Sequence, residues 1–533
     1  MTLLPADTGR TDREDLDRPS TVAVVGGGFT GLVAARRLAQ AGHHVIVCEA
    51  SARLGGQICT VDVDTPSGDT LAVDVGAEAL HTMSPDSIAL INELGLQDTV
   101  TVARGGESYL WTPRGRRRLP AGVGPAGPTR LRPVLRSGVM TLRGMARAGI
   151  EPVAARLRTR PQLSPGHDVS VGDFVAGRFG QEVADRFVDP LLGGLHSGDV
   201  HRLSLRATTP TLVAAARDGR SLMPFRLREL PGKAINGAVN RATTHGLSPR
   251  TADLIRNALP GPLRPATARP RPKMDFLSWP RGLRTIVDRI LTDVTVDIRL
   301  SCPVHSITAT ADGYLVTTPQ GDLDVDAVVL AIPAWAARTL IRPASPRAAD
   351  LLSFTRTVST VTVVLGFPRE SVAGIPALEG NGLLVPSRTG TLLKAVTNLS
   401  AKWPQYGGGD LYLMRLSAGR DGQELVDALD DTALVDQLRH DLRTLTGVDV
   451  PPTLVHVHRW QRGLPQLTVG HPDRIDAVRD ELHQVWPQVA LAGASYDGIG
   501  LAACLTSGQD AAAQIHRELT SSARPLRATT SVV

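Results

Sequence analysis

The sequence predicts an α/β fold with a parallel-sheet domain split over the chain, a second domain with a mixed sheet, and an inserted helical module. Three observations predict it. Thr21 to Glu49 reads as strand, glycine turn, helix and strand with almost no spare residues. Further buried-strand runs, Ala327 to Ile332 and Val489 to Ala492, lie hundreds of residues away. Between them, helical patterns at Leu135 to Leu157 and Val171 to Asp189 give way to strand patterns at Val358 to Phe367 and Leu411 to Leu416.

The first unit carries its own chemistry. Thr21 to Val25 has the length and β-branched content of a buried parallel strand, and Gly26-Gly27-Gly28-Phe29-Thr30-Gly31 supplies G-x-G-x-x-G. The first glycine suits a tight turn, Gly28 lets backbone amides approach a pyrophosphate, and Gly31 lets the helix pack close to the strand. The helix N-terminus then faces the anion. Leu32, Ala35, Leu38 and Ala39 form its apolar stripe, and Val45 to Cys48 form the next strand. Glu49 follows eighteen residues after Gly31, near the spacing at which an acid grips a ribose hydroxyl. The unit is a Rossmann-like dinucleotide site.

Arg53-Leu54-Gly55-Gly56 follows Glu49, completing E-x-x-x-R-x-G-G. With this the sequence resembles the flavin amine oxidase and protoporphyrinogen oxidase superfamily, and the resemblance implies FAD as the cofactor. Leu71 to Leu80 reads as a strand running into a turn, at the place that passes beneath the isoalloxazine ring in that superfamily. Ser84-Pro85 opens a helix that ends near Gly95.

Arg178 to Leu205, with Pro190-Leu191-Leu192-Gly193-Gly194 at its centre, carries a sharper resemblance. It is similar to R-F-G-x-x-V-x-x-x-F-V-x-P-L-L-G-G-x-x-x-G-D-x-x-x-L-S-L of the protoporphyrinogen and coproporphyrinogen oxidases, which amine oxidases lack. Phe276 to Leu283 resembles that family's F-x-S-L-x-G-G-L, but Trp279 and Arg281 replace a leucine and a glycine, which predicts an altered backbone approach there. Lys402-Trp403-Pro404, His458-Arg459-Trp460, Pro465-Gln466 and Val469-Gly470-His471 also match; Leu467 stands where the family often has tyrosine. Val489 to Gly500 looks like the family's C-terminal FAD element, with a strand delivering a glycine turn to a helix start.

The resemblance implies FAD contacts from Gly26, Gly27, Gly28, Phe29, Thr30, Gly31, Glu49, Arg53, Gly56, Gln57, Gly76, Ala77, Glu78, Ala79, Val304, Ala492, Gly493, Asp497, Gly498 and Ile499. Leu191 and Gly194 are the expected substrate contacts. No catalytic triad or carboxylate pair emerges, and the flavin carries the chemistry. The domain boundaries expected are 21–105, 282–345 and 488–520 for FAD binding, and 106–129, 256–281 and 346–487 for substrate. Residues 130–255 are the expected helical module, a Pro/Arg/Ala-rich loop or linker at 246–273 spans its end, and 1–20 and 521–533 read as disordered tails.

Composition narrows the remaining classes. No apolar run approaches 18 residues and the first 20 lack an apolar h-region, so a cytoplasmic chain without a spanning helix is expected. Cys48, Cys59, Cys302 and Cys504 are scattered, and the histidines show no ligand spacing, so neither disulfides nor a metal is expected. Residues 101 to 160 hold thirteen arginines against Glu107 and Glu151, a local charge of +11. That suits a solvated face, anionic lipid at the inner face of the membrane, or a polycarboxylate substrate; nucleic acid fits poorly without interleaved aromatics.

The family resemblance implies oxygen-dependent, six-electron oxidation of a porphyrinogen in haem biosynthesis, with three O2 giving three H2O2. Mitochondrial and plant protoporphyrinogen oxidases carry an arginine where this chain has Glu78, which favours coproporphyrinogen III over protoporphyrinogen IX. An amine oxidase or desaturase on the same fold, and an FAD-retaining homologue without turnover, are the alternatives from other classes. The sequence does not indicate the oligomeric state.

Overall fold

The computed structural model describes residues 19–124, 127–128, 131–157, 163–219, 221–222 and 275–522. Most of both expected tails and the 246–273 loop lie outside the described residues.

Strand β1 (Thr21–Val25) leads through the glycine turn into helix α1 (Phe29–Gln40), and β2 (His44–Cys48) returns beside it. A hairpin, β3 (Thr60–Asp64) and β4 (Thr70–Asp74), follows. The strand expected to run into a turn over Leu71 to Leu80 does so. Pairing stops at Asp74, and residues 75–79 run as irregular backbone across the top of the first domain. Strands β5 (Ser108–Thr112) and β6 (Gly115–Arg118) lead into the helical module.

In that module α2 (Val171–Phe179) is capped by Ser170, whose side chain accepts from the Asp173 amide. The expected α-helix over Gln181 to Asp189 is instead one short α-turn, Gln181–Val183, and a π-helical run, Ala184–Gly193. Pro190 explains the wider winding, because proline has no N–H and its ring crowds the preceding turn. The Gly194 amide accordingly bonds back to the Asp189 carbonyl.

Strands β7 (Asp297–Arg299), β8 (Ala327–Leu330) and, at the far end of the chain, β9 (Val489–Leu491) complete the first sheet. All five strands are parallel, in the order β7-β2-β1-β8-β9, with Val22 opposite both Val45 and Ala327. Val22, Ala23, Val24 and Ala327 to Leu330 are fully buried, as a sheet covered on both faces requires. Helix α1 packs against the long C-terminal helix Leu501–Ser522.

The second sheet has seven strands, in the order 454–465, 357–368, 411–418, 393–397, 382–384, β5 and β6. Its pairs are antiparallel except 382–384 with β5, so the sheet is mixed. One face packs helix Asp431–Thr446 through Leu434, Leu438 and Leu442 against Val363, Leu365 and Met414. The opposite face, with Thr360, Thr362, Arg415 and Trp460, turns toward residues 74–79. This juxtaposition positions the site.

Candidate functional site

The glycine turn is shaped by what its residues cannot carry. Gly26 has φ +105°, and a Cβ there would lie 2.6 Å from the Ala331 carbonyl oxygen; one on Gly31 would lie 1.9 Å from the Gly26 oxygen. Gly28 caps α1 without a side-chain acceptor, and the first turn holds no acid. The amides of Phe29, Thr30 and Gly31 thus lack the usual capping carboxylate, a helix start that suits a pyrophosphate, and the Gly28 backbone packs so closely on the second glycine turn that a Cβ on Gly56 would lie 2.9 Å from the Gly28 Cα.

The Glu49 carboxylate accepts from the Gly27 amide (2.7 Å) and the Ser51 amide (2.8 Å). Those bonds fix its place at the end of β2 and leave further lone pairs for ribose hydroxyls. Arg53 is exposed but tethered to the chain beside it. Its guanidinium donates to the carbonyls of Leu54, Gly56 and Ile58 and ties the second glycine turn into shape. Gln57 donates to the Gly463 carbonyl and accepts the Ala77 amide at 2.9 Å. Gly76 is pressed into the same layer: a Cβ there would sit 2.0 Å from the Gln57 oxygen and 2.8 Å from the Trp460 ring. Trp460 donates from its indole to the Val75 carbonyl at 3.1 Å.

Glu78 lies at the centre of the contact between the two domains. Its carboxylate meets Lys402 Nζ at 2.6 Å, Arg415 Nη2 at 2.6 Å and Trp403 Nε1 at 2.9 Å. Burial would push this carboxyl up, but Arg415 and Lys402 outweigh it and hold it down to about 2. Arg415 also donates to the Asp74 and Gly76 carbonyls. The Lys-Trp-Pro segment and the 411–418 strand therefore grip residues 74–78 through one carboxylate. Asp74 nearby behaves oppositely: burial pushes its carboxyl up to about 6, against bonds from Thr60 and the Leu283 amide. Ala77 and Ala79 border the adjoining apolar clusters.

At the C-terminal loop, Ala492 is buried beside Gly493, whose amide donates to Ser507 Oγ at 2.8 Å. Asp497 accepts from Ser507 Oγ (2.5 Å) and from Arg479 (2.8 Å), so its carboxylate braces the loop from behind. Gly498, Ile499 and Gly500 then lead into the helix at Leu501, whose first turn carries no acid. Val304 follows Cys302, whose amide donates to the Glu49 carbonyl, so its segment runs beside the acid. Burial and then Cys302 push the Cys48 thiol up to about 12, and burial pushes Cys504 up; both are packed thiols.

Leu191 and Gly194 lie at the end of the π-helical run, and a Cβ on Gly194 would meet nothing within 4 Å. They border Ser197, which reaches the second sheet through Lys394. Trp279 is a correction. It is 1 % exposed, in the core beside Leu277 and Leu283, and its indole donates to the Leu96 carbonyl at 3.2 Å. The tight approach is kept by Gly282, with φ +71° and Asp74 Oδ1 2.6 Å from its would-be Cβ. The sequence reading missed Lys394, Arg415 and the pairing of Glu78. Only the Lys402-Trp403 motif hinted at it.

The family model for flavin-containing amine oxidoreductases matches residues 29–516, nearly the whole described chain. The chain belongs to that family. Its relatives include the coproporphyrinogen III oxidase of Bacillus subtilis, 27% identical over 93% of this chain and 97% of that one. The coproporphyrinogen III oxidase of Propionibacterium freudenreichii is 30% identical over 93% and 90%. Among solved structures, a provisionally named protoporphyrinogen oxidase from Exiguobacterium sp. superposes with a TM-score of 0.75 at 25% identity, over 94% of this chain and 99% of that one. The cofactor is FAD, and the chain is a flavin-dependent oxidoreductase. Two helix N-termini without first-turn acids, the anchored Glu49 and the close backbone approach of Gly28 and Gly56 fit that cofactor.

Proposed function

We propose that this enzyme oxidises coproporphyrinogen III to coproporphyrin III, removing six electrons and six hydrogens with three O2 reduced to three H2O2. The observation that carries the reading is end-to-end likeness to relatives named coproporphyrinogen III oxidase, joined to a buried basic cluster in which Arg420 and Arg415 lie near enough to Lys394 to disfavour its charge. FAD, when bound, accepts hydride and is reoxidised by oxygen. The chain's own residues bind, orient and exclude water.

The amides of α1 take the pyrophosphate and Glu49 the ribose. The helix Leu501–Ser522, with no acid in its first turn, would direct its N-terminus at the isoalloxazine end, where partial positive charge stabilises a reduced flavin. Gly76 to Ala79, fixed by Trp460 and by the Glu78 clasp, would support the flavin ring. Arg53 and Asp497 shape the loops that would hold the cofactor. The substrate enters between the 74–79 segment, the polar face of the second sheet and the Leu191–Gly194 turn.

Glu78 would repel a propionate if its charge were free, but two cations consume it. Protoporphyrinogen IX is the second reading, favoured by the name of the Exiguobacterium protein. On the helical module Leu142, next to the exposed Arg143, is 82 % exposed and Ile150 and Leu195 are 52 % and 61 % exposed, which supports peripheral contact with an anionic membrane surface. Among the described residues no helix is long and apolar enough to cross a membrane. Anaerobic mixing of the holoenzyme with each porphyrinogen tests the reading: coproporphyrinogen should bleach the flavin, and faster than protoporphyrinogen does.

A further inference from the structure

Lys394 sits at a bulge, where the register between strands 393–397 and 411–418 slips between Leu393 and Ala395. Its side chain is turned to the face that carries Arg415, and the residue is only 7 % exposed. The ammonium has three donors and one recorded partner, Ser197 Oγ at the end of the Leu191 to Ser197 turn. Arg420, also 7 % exposed, donates from Nη2 to the Val385 carbonyl at 2.7 Å, while its Nε is buried without a partner. Arg415 Nε is buried and unpartnered too. Among the described residues neither Lys394 nor Arg420 has a carboxylate within 4 Å, although Asp189 lies near enough to favour the charge on Arg420.

The anions nearby are already engaged. Asp189, on the π-helical run, accepts from the Ser387 amide at 2.7 Å and Ser387 Oγ at 2.9 Å. Glu78 is held by Lys402 and Arg415. His196 is buried with its Nδ1 unpartnered, and Asp421 is taken by Arg202 and Arg356. Buried cations are rarely left unpaired, since each costs several kcal/mol of desolvation. Burial, then Arg420 and Arg415, accordingly push the Lys394 ammonium down to about 7, so an arriving anion would restore its proton and its charge.

We propose that Lys394 and Arg420, with Ser197 between the sheet and the helical module, form a carboxylate subsite that takes a propionate side chain of the porphyrinogen. The subsite rests on the reading of this cleft as a porphyrinogen site. It supplies the cations here from the second sheet, while position 78 holds an acid. A carboxylate between Lys394 and Arg420 would fill orphan donors on both and neutralise buried charge, and charge-assisted bonds of this kind are the strong ones.

The test is equilibrium binding of coproporphyrin III, read by fluorescence quenching, to wild-type, Lys394→Met and Arg420→Met holoenzymes. The tetramethyl ester in dilute detergent serves as the uncharged control, and flavin content and the thermal midpoint are measured alongside. Each variant should weaken binding of the free acid by about 10-fold or more. The ester should bind all three proteins alike, with flavin content unchanged. Unchanged binding of the free acid in both variants would overturn the subsite, as would equal weakening of acid and ester. If the wild-type flavin is bleached by coproporphyrinogen but the variants bind the acid normally, the subsite falls and the proposed function stands. If the wild type binds neither porphyrin form, both fall.

Discussion

Replacing Glu78 by glutamine removes the carboxylate that Lys402 and Arg415 share while keeping its size and its ability to accept from Trp403. The three side chains are 12 %, 17 % and 14 % exposed, so solvent and salt screen the resulting imbalance poorly. Breaking a buried ion pair by removing one partner costs roughly 3 to 5 kcal/mol. Arg415 also bonds the Asp74 and Gly76 carbonyls, so loss of its anchor loosens the segment proposed to support the flavin. Thermal unfolding at pH 7 should show the variant melting several degrees lower and releasing flavin earlier. The pH dependence has a fixed sign. The folded carboxyl, at about 2, lies below its ordinary value of 4.5, so its stabilisation is complete above about 4.5 and is lost as pH falls through about 2. The stability gap between wild type and variant should thus be constant near neutrality and close below pH 4.5. A variant within about 1 kcal/mol of wild type at pH 7 that keeps its flavin would refute the clasp. Glu78→Arg, despite the arginine found there in some porphyrinogen oxidases, should be worse than Glu78→Gln, because it gathers three cations with no anion.

Gly76→Ala should lower the flavin-to-protein ratio at purification, since its methyl group collides with the Gln57 carbonyl and the Trp460 ring; full flavin occupancy would contradict this packing. Burial holds His196 down at about 4, and burial followed by Arg474 does the same for His471, so both fold neutral. Their unfolded forms protonate first, and stability should drop as pH falls from about 6.5 to 4; His471→Asn should flatten part of that slope in a denaturant titration. For Lys394 the folded pKa also lies below the unfolded 10.5, so the penalty is complete below about 7 and relieved as pH rises toward 10.5. Lys394→Met should stabilise the apo and holo protein more at pH 6 than at pH 10. Vesicles of anionic lipid should sediment the protein at low salt and release it at high salt; no partition at low salt would exclude the surface contact at Leu142 and Ile150.

The first 40 or so structured residues were legible because their signals are local. The Thr21 to Val25 strand, the Gly28 cap and Glu49 each follow from neighbours within a turn or a strand of them. The splitting of the sheet over β7, β8 and β9 was visible from buried-strand runs, because parallel strands covered on both sides read as continuous apolar stretches. The Glu78 clasp was not legible: Lys402 stands 324 residues away, and a charge in a motif does not announce its partner. Lys394 gave no signal at all, since one lysine in a strand pattern reads as an exposed edge residue until the sheet is assembled. Trp279 misled because a large residue in place of leucine looked like a backbone change, whereas the core simply accommodated it beside Leu96. The π-helical winding around Pro190 needed the structure, as periodicity alone does not separate it from an α-helix with a proline.

The most direct measurement is rapid anaerobic mixing of the FAD-loaded enzyme with coproporphyrinogen III and, separately, protoporphyrinogen IX, following loss of the flavin's visible absorbance. Bleaching by both, with coproporphyrinogen clearly faster, is the predicted result. No bleaching by either would mean a flavoprotein without porphyrinogen turnover, and a far faster reaction with protoporphyrinogen would contradict the substrate assignment.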